Sequence, residues 1–326
     1  MDRSRRRIVF GIACAVFAPR APGAKPKRVV LFLRSEDGRG REVRQFVVDQ
    51  LRSEGLVPGR DFEVELVNTY ERAADPGLLA DEIVASRPDV ISVSGTVDTR
   101  LFAERTRTIP IVFRAVADPV AAGLVTSLAR PGGNITGESN LSFELEGKRL
   151  ALLVDLRPGL KRVLVVDVEG VAGEMAAMSQ DSAARELGLT LERLTLRRKQ
   201  LREDFSLVPP RLASSRAQAA LVSAFDVVSA EGRRLLAALE SDGVPAVFLD
   251  NRIVRAGGLA SLGQRVDVVD PTPVRIIARV LRGERPASIP VAQTTRTHFA
   301  LNLRTARAMK LAIPDSVRLR ADELIE

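Results

Sequence analysis

The chain has one cysteine, one histidine, one tyrosine and no tryptophan in 326 residues. A single thiol cannot close a disulfide within the chain, and no cysteine set with metal-ligand spacing exists. The one histidine, His298, sits in the alternating run TTRTHFALNL, where a strand face is its default position. No Ser-His-Asp arrangement or metal spacing accompanies it, so no catalytic residue, metal or cofactor is expected. Aromatic residues are confined to 12 Phe and the lone Tyr, which leaves aliphatic side chains to fill most of the core. Low-complexity tracts are missing and charges are interspersed, as in a folded domain rather than a disordered one. Basic clusters such as LRRKQLRED mix signs and lack interleaved aromatics, so a nucleic-acid partner is not expected.

The first 24 residues differ in kind from the rest. MDRSRRR is a basic leader, Ile8–Ala18 is an apolar run of 11 residues, and the small-residue stretch APGA follows. That order reads as a secretory signal peptide, and the run is too short to span a bilayer. Cleavage is expected near Gly23 or Ala24. Cys14 lies inside this leader, and Gly11 stands where a lipoprotein signal carries leucine, so lipid anchoring is not expected. The five arginines and one aspartate of the leader account for +4 of the formal net charge of +8. The remaining charge is a modest basic balance.

Beyond the leader, strand-like and helix-like segments alternate, a pattern that implies parallel sheets covered by helices on both faces. RVVLFLR, DFEVELVN, PDVISVSG and TIPIVFRAV read as strands. After Gly137 the rhythm restarts with the helix LEGKRLALLVDL and the strand KRVLVVD. Two α/β lobes are therefore expected. At the junction, GGNITGES has the glycine spacing of a phosphate loop with Ser139 in the hydroxyl position. Glu138 occupies the lysine position, and the glycines follow a predicted helix from Pro119 to Arg130 instead of preceding one. The phosphate cradle is excluded; Asp118 caps the predicted helix and the glycines end it.

The stretch IPIVFRAVADPVAAGLVTSLARPGGNITG resembles the signature of bacterial ABC-transporter substrate-binding proteins related to aromatic and branched amino-acid binders. The resemblance extends through RPDVISVSGT, LRGERPASIPV and the tail FALNLRTARAMKLAIPDSVRLRADELIE. It implies the type I periplasmic-binding fold: two doubly wound parallel-sheet lobes joined by a three-segment hinge. The expected division is a signal peptide over 1–24, an N-terminal lobe over 25–137 and 254–293, and a C-terminal lobe over 138–253 and 294–326. Crossings are expected near Ile135–Asn140, Asn251–Gly257 and Gln293–Phe299.

Ligands of open α/β sheets sit beyond the carboxyl ends of the strands. The candidates in the first lobe are Ser35, Glu36, Ser94, Gly95, Thr96, Ala117 and Asp118, and Ser139 and Asn140 lie at the crossing. The second lobe offers Val168, Glu169, Phe225, Asp226 and Leu262. Ser94–Thr96 could hold a carboxylate and Asp226 an ammonium. Each has a structural alternative: Ser94, Thr96, Asp118 and Asp226 as helix caps, Phe225 as core. Leu262 in ASLG and the turn VEGVAG depart from the family pattern, and both weaken the case for an aromatic amino-acid ligand. The function implied is an exported, periplasmic solute-binding protein, a monomer that delivers a small molecule to an ABC permease and its ATPase in the inner membrane. A ligand-sensing module for a membrane receptor and an enzyme using the same cleft are the alternatives.

Overall fold

The computed structural model describes residues 25–34, 40–72, 75–140, 144–197, 200–223, 230–264, 270–293 and 297–326. The leader thus lies outside the described residues. The first half of the chain runs β1 (Lys27–Leu33), α1 (Gly40–Ser53), β2 (Phe62–Asn68), α2 (Thr69–Arg72), α3 (Pro76–Ala85), β3 (Val90–Ser94), α4 (Gly95–Ala103), β4 (Ile111–Val116) and β5 (Ile135–Ser139). The second runs α5 (Glu144–Leu156), β6 (Arg162–Val168), α6 (Val171–Leu187), β7 (Thr190–Leu196), α7 (Leu201–Phe205), α8 (Val208–Ser214), β8 (Ala219–Val222), α9 (Ala230–Ser241), β9 (Ala246–Asp250), α10 (Asn251–Arg255) and β10 (Ala260–Gln264). The chain then gives α11 (Thr272–Leu281) and β11 (Ala292–Gln293), and ends with β12 (His298–Asn302), α12 (Leu303–Ala308), α13 (Asp315–Arg318) and β13 (Glu323–Ile325).

These strands form two sheets. The first has the order β11-β5-β4-β3-β1-β2 and is parallel throughout. The second, β13-β12-β10-β9-β8-β6-β7, is parallel except where β10 meets β12. The order β2-β1-β3-β4-β5 recurs as β7-β6-β8-β9-β10, so the restart after Gly137 is a repeated topology. The buried strands are near-continuous apolar runs because helices cover both faces. Along β1, Val30 and Phe32 enter one core cluster while Val29 and Leu31 enter the cluster on the opposite face. In the second sheet, Val163 and Val165 of β6 divide in the same way from Leu164 and Val166. Local signals set the ends of the helices. Asp75 accepts from Gly77 N at 2.7 Å and Leu78 N at 3.2 Å to cap α3, and Gly188 closes α6 in the left-handed conformation.

The segment after β4 departs from the sequence reading. Asp118 does accept from Val120 N at 3.0 Å and Ala121 N at 2.9 Å, but a single turn follows instead of a helix to Arg130. Gly123 takes φ +69, and Thr126 N turns to the carbonyl of Pro131 at 2.9 Å. Both remove the i to i−4 ladder that a helix needs.

Gly137 has a packing role. A Cβ there would lie 2.1 Å from the Phe113 carbonyl oxygen, at the bulge that shifts the β4–β5 register. The second lobe repeats the device: a Cβ on Gly263 of β10 would lie 1.9 Å from the Leu249 oxygen, beside the irregularity between β9 and β10. Glycine is required at both for close backbone approach.

The chain changes sheets between Ser139 and Glu144, between Gln264 and Thr272, and between Gln293 and His298. The expected return to the first lobe at 254 is therefore displaced. Residues 260–264 pair with β9 and β12 in the second sheet, a non-local pairing that local pattern does not reveal. Glu138 and Ser139, assigned by sequence to the second lobe, lie in β5 of the first sheet.

Candidate functional site

In a doubly wound sheet, the crevice forms where the strand order reverses, beyond the carboxyl ends of the strands. That point falls between β1 and β3 in the first lobe and between β6 and β8 in the second.

At the first of these points, β3 ends on Ser94, and Gly95 turns into α4 with φ +78. Ser94 occupies the N-cap position of α4 but makes no side-chain cap bond. Among the described residues, the hydroxyls of Ser94 and Thr96 have no partner, although both residues are partly buried. Thr99, by contrast, donates to Gly95 O at 2.7 Å. Across the crevice, Arg34 follows the buried run of β1 and places Nη2 2.6 Å from Asp98 Oδ1. The Asp98 side chain is 9% exposed and the Arg34 side chain 35%. The pair joins the end of β1 to the first turn of α4 and neutralises the carboxylate there. The helix end, two uncommitted hydroxyls and a part-exposed guanidinium therefore share one edge, an arrangement suited to an anionic group.

The other sequence candidates fall in different settings. Ala117 is buried and its carbonyl accepts from Ser139 Oγ at 3.2 Å, while Asn140 N donates to Val116 O at 3.1 Å. Ser139, fully buried, stitches β5 to the end of β4. Asp118 caps its turn. Val168 and Leu262 pack against core clusters of the second lobe, and Glu169 is exposed at the carboxyl end of β6. Leu262 thus carries less information about the ligand than its expected cleft position implied. Ser35, Glu36, Phe225 and Asp226 lie outside the described residues.

Sequence reading missed Arg34 and Asp98, although an arginine directly after VVLFL marks the exit of a buried strand. It also missed a polar network in the second lobe. Arg149 of α5, buried on all sides, bonds Glu146 Oε1 at 2.6 Å and the Leu262 carbonyl at 2.7 Å. Gln180 of α6 reaches Glu146 Oε2 at 2.9 Å and Asp167 Oδ1 at 3.3 Å. Arg193 of β7 closes the network on Asp167 at 3.1 Å and Asp181 at 2.6 Å. Burial pushes the Glu146 carboxyl above its ordinary value, opposed mainly by Arg149. Burial also raises Asp167, against bonds from Gln180 and Arg193, and lowers Arg149. Glu146 lies just after the first crossing, and Leu262 just before the second. The Glu146–Arg149 pair therefore ties together the second-lobe ends of two of the three crossing segments.

Among the described residues, no group of His, Cys, Asp and Glu is placed to hold a metal ion, and no helix is long and apolar enough to cross a membrane. His298 is a strand residue, as expected, with Nε2 3.6 Å from Glu323 Oε2.

Two α/β lobes of like strand order, joined by three crossings, define the type I periplasmic-binding fold. A family model described as "ABC transporter substrate binding protein" matches residues 29–325, and the chain belongs to that family. A curated relative, the "Tyrosine-binding protein" of Clostridioides difficile (strain R20291), is 24% identical over 293 residues, 85% of this chain and 79% of that protein. A conserved domain protein from Vibrio cholerae superposes with a TM-score of 0.77 at 25% identity, covering 92% of this chain and 100% of its own. An ABC domain from Streptococcus pneumoniae, solved in complex with L-Trp, gives 0.73 at 22% identity, again covering 92% and 100%.

Proposed function

We propose that this protein is the exported, periplasmic receptor of an ABC importer, binding a free α-amino acid between its lobes and handing it to a membrane permease and its ATPase. It acts as a monomer and not as an enzyme. The observation that carries this reading is the edge between β1 and β3. There the amino end of α4, the uncommitted hydroxyls of Ser94 and Thr96, and Arg34 held by Asp98 face the carboxyl side of the sheet. This set suits a carboxylate. Asp226, three residues beyond Ser223, is the proposed partner of the ammonium, and Phe225 a cover for the side chain. The relatives' names direct attention to tyrosine and tryptophan, and Leu262, half-buried, packs against the core of the second lobe.

A thermal-shift screen of the free amino acids tests the reading. Ligand at roughly a hundredfold excess over Kd adds about 2.7 kcal/mol of stability, so tyrosine, tryptophan or another amino acid should raise the melting temperature by several degrees. A flat response across the whole set overturns the proposal. Small-angle scattering with the ligand identified should show compaction as the lobes close.

A further inference from the structure

Two proline-containing turns of the sequence, SRPDV at 86–90 and ERPAS at 284–288, play no part in the ligand edge. They lie at the amino ends of the first-lobe strands, the opposite pole from Ser94 and Arg34. With RTIP at 107–110 they wall an open groove of about 730 Å³. One length of β1, roughly 23 Å at its rise per residue, separates this groove from the candidate ligand edge.

Four arginines line the groove, and three of them, Arg87, Arg107 and Arg285, come from three separate loops. All three residues are exposed, and among the described residues none of their side chains has an ion pair or hydrogen bond. The other basic groups of the groove are engaged: Arg105 pairs with Asp81 at 2.8 Å, and Lys27 donates to the Leu281 carbonyl at 2.7 Å. The acidic groups on the groove are already engaged. Asp89 accepts from Arg28 N at 2.8 Å, and Glu284 is held by Arg279 at 2.7 and 2.5 Å, which keeps its carboxyl below the usual range. Each loop also carries a proline on the groove, Pro88, Pro110 and Pro286; Pro88 and Pro286 directly follow their arginines and restrict the backbone there. Arg87 itself takes φ +50, a conformation that an L-residue holds only when its surroundings impose it.

We propose that this groove is a second binding site, for an anion bearing two or more phosphate-type groups. Guanidiniums match such oxyanions with paired N–H donors, and stiff loops reduce the entropy lost on binding. The phosphates belong either to a free metabolite or to the headgroups of an anionic lipid surface.

The test titrates inorganic pyrophosphate into the full chain at low ionic strength, and in parallel measures co-sedimentation with phosphatidylglycerol vesicles against phosphatidylcholine ones. Arg107→Glu and Arg285→Glu serve as the variants; both side chains are exposed, so melting temperatures should be unchanged. Pyrophosphate binding that weakens tenfold or more in each variant supports a free ligand. Vesicle binding lost in the variants, without pyrophosphate binding, supports a headgroup. No binding in either arm, or binding equal in wild type and variants, overturns the proposal. Amino-acid affinity should stay at the wild-type value in both variants, which keeps this outcome separate from that of the interlobe site.

Discussion

In the first lobe the buried carboxylate of Asp98 is answered by Arg34, whose side chain still reaches solvent at the ligand edge. In the second lobe Glu146 is answered inside by Arg149 and Gln180, and Asp167 by Gln180 and the part-exposed Arg193. Arg149 is the one buried basic residue among those described. The strand order is the same in both lobes, so the difference comes from side chains and not from topology. The first lobe keeps donors available at its switch point. The second commits its charges to joining α5, α6, β6, β7 and β10 behind the crossing segments. A frame of this kind suits a lobe that moves as a rigid body, because the hinge then has firm points of attachment.

Breaking the inner network should have the largest effect. Arg149→Met leaves Glu146 buried without its main counter-charge, at a cost of about 3–5 kcal/mol at neutral pH. The pH dependence has a defined sign. A carboxyl whose folded pKa is raised binds its proton more tightly in the native state, so stability falls as pH rises from the unfolded value of 4.5 towards the folded one. Removing Arg149 takes away the strongest opposing influence and raises Glu146 further. Urea unfolding should therefore show a larger deficit for the variant at pH 8 than at pH 5. An equal deficit at both would mean that Glu146 does not carry the effect.

The glycines test what the lobes share. Gly137→Ala and Gly263→Ala each drive a methyl into a backbone carbonyl, and overpacking of this kind costs about 1–3 kcal/mol. Comparable losses in thermal unfolding at the two positions are expected. A loss at only one would show that the repeated bulge is not equivalent in the two lobes.

At the ligand edge the expected effect is on binding and not on stability. Ser94→Ala should weaken amino-acid binding by about 1–3 kcal/mol, since neighbouring backbone N–H groups remain. Stability should be unchanged, because the Ser94 hydroxyl caps nothing. A lowered melting temperature with unchanged affinity would reassign Ser94 to a structural role.

Much of the fold can be read from local pattern. The apolar runs VVLFL, VISVS and VLVV mark β1, β3 and β6, and the restart after Gly137 marks the repeated topology. Legibility ended where non-local geometry decides. Gly123 could have sat within a helix, but its left-handed conformation ends the turn after Asp118. The pairing of Ala260–Gln264 with β12 keeps that stretch in the second sheet, and no nearby residue signals it. At the site, Ser94–Thr96 were identifiable from a small-residue strand exit. The roles of Arg34 and Arg149 depend on partners 64 and 3 residues away. In the first case only the approach of α4 to β1 reveals the pair; in the second, burial turns an ordinary helix-surface spacing into an internal clamp.

The central claim is that an amino acid is held between the two switch points, with its carboxylate on the first lobe and its ammonium on Asp226 of the second. Isothermal titration of the amino acid found in the screen, into wild type and Asp226→Asn, tests it most directly. Leaving the ammonium unpaired in a closed cleft costs about 2–5 kcal/mol, so the variant should bind roughly 30-fold or more weakly, with an unchanged melting temperature. Wild-type affinity in Asp226→Asn would contradict the account.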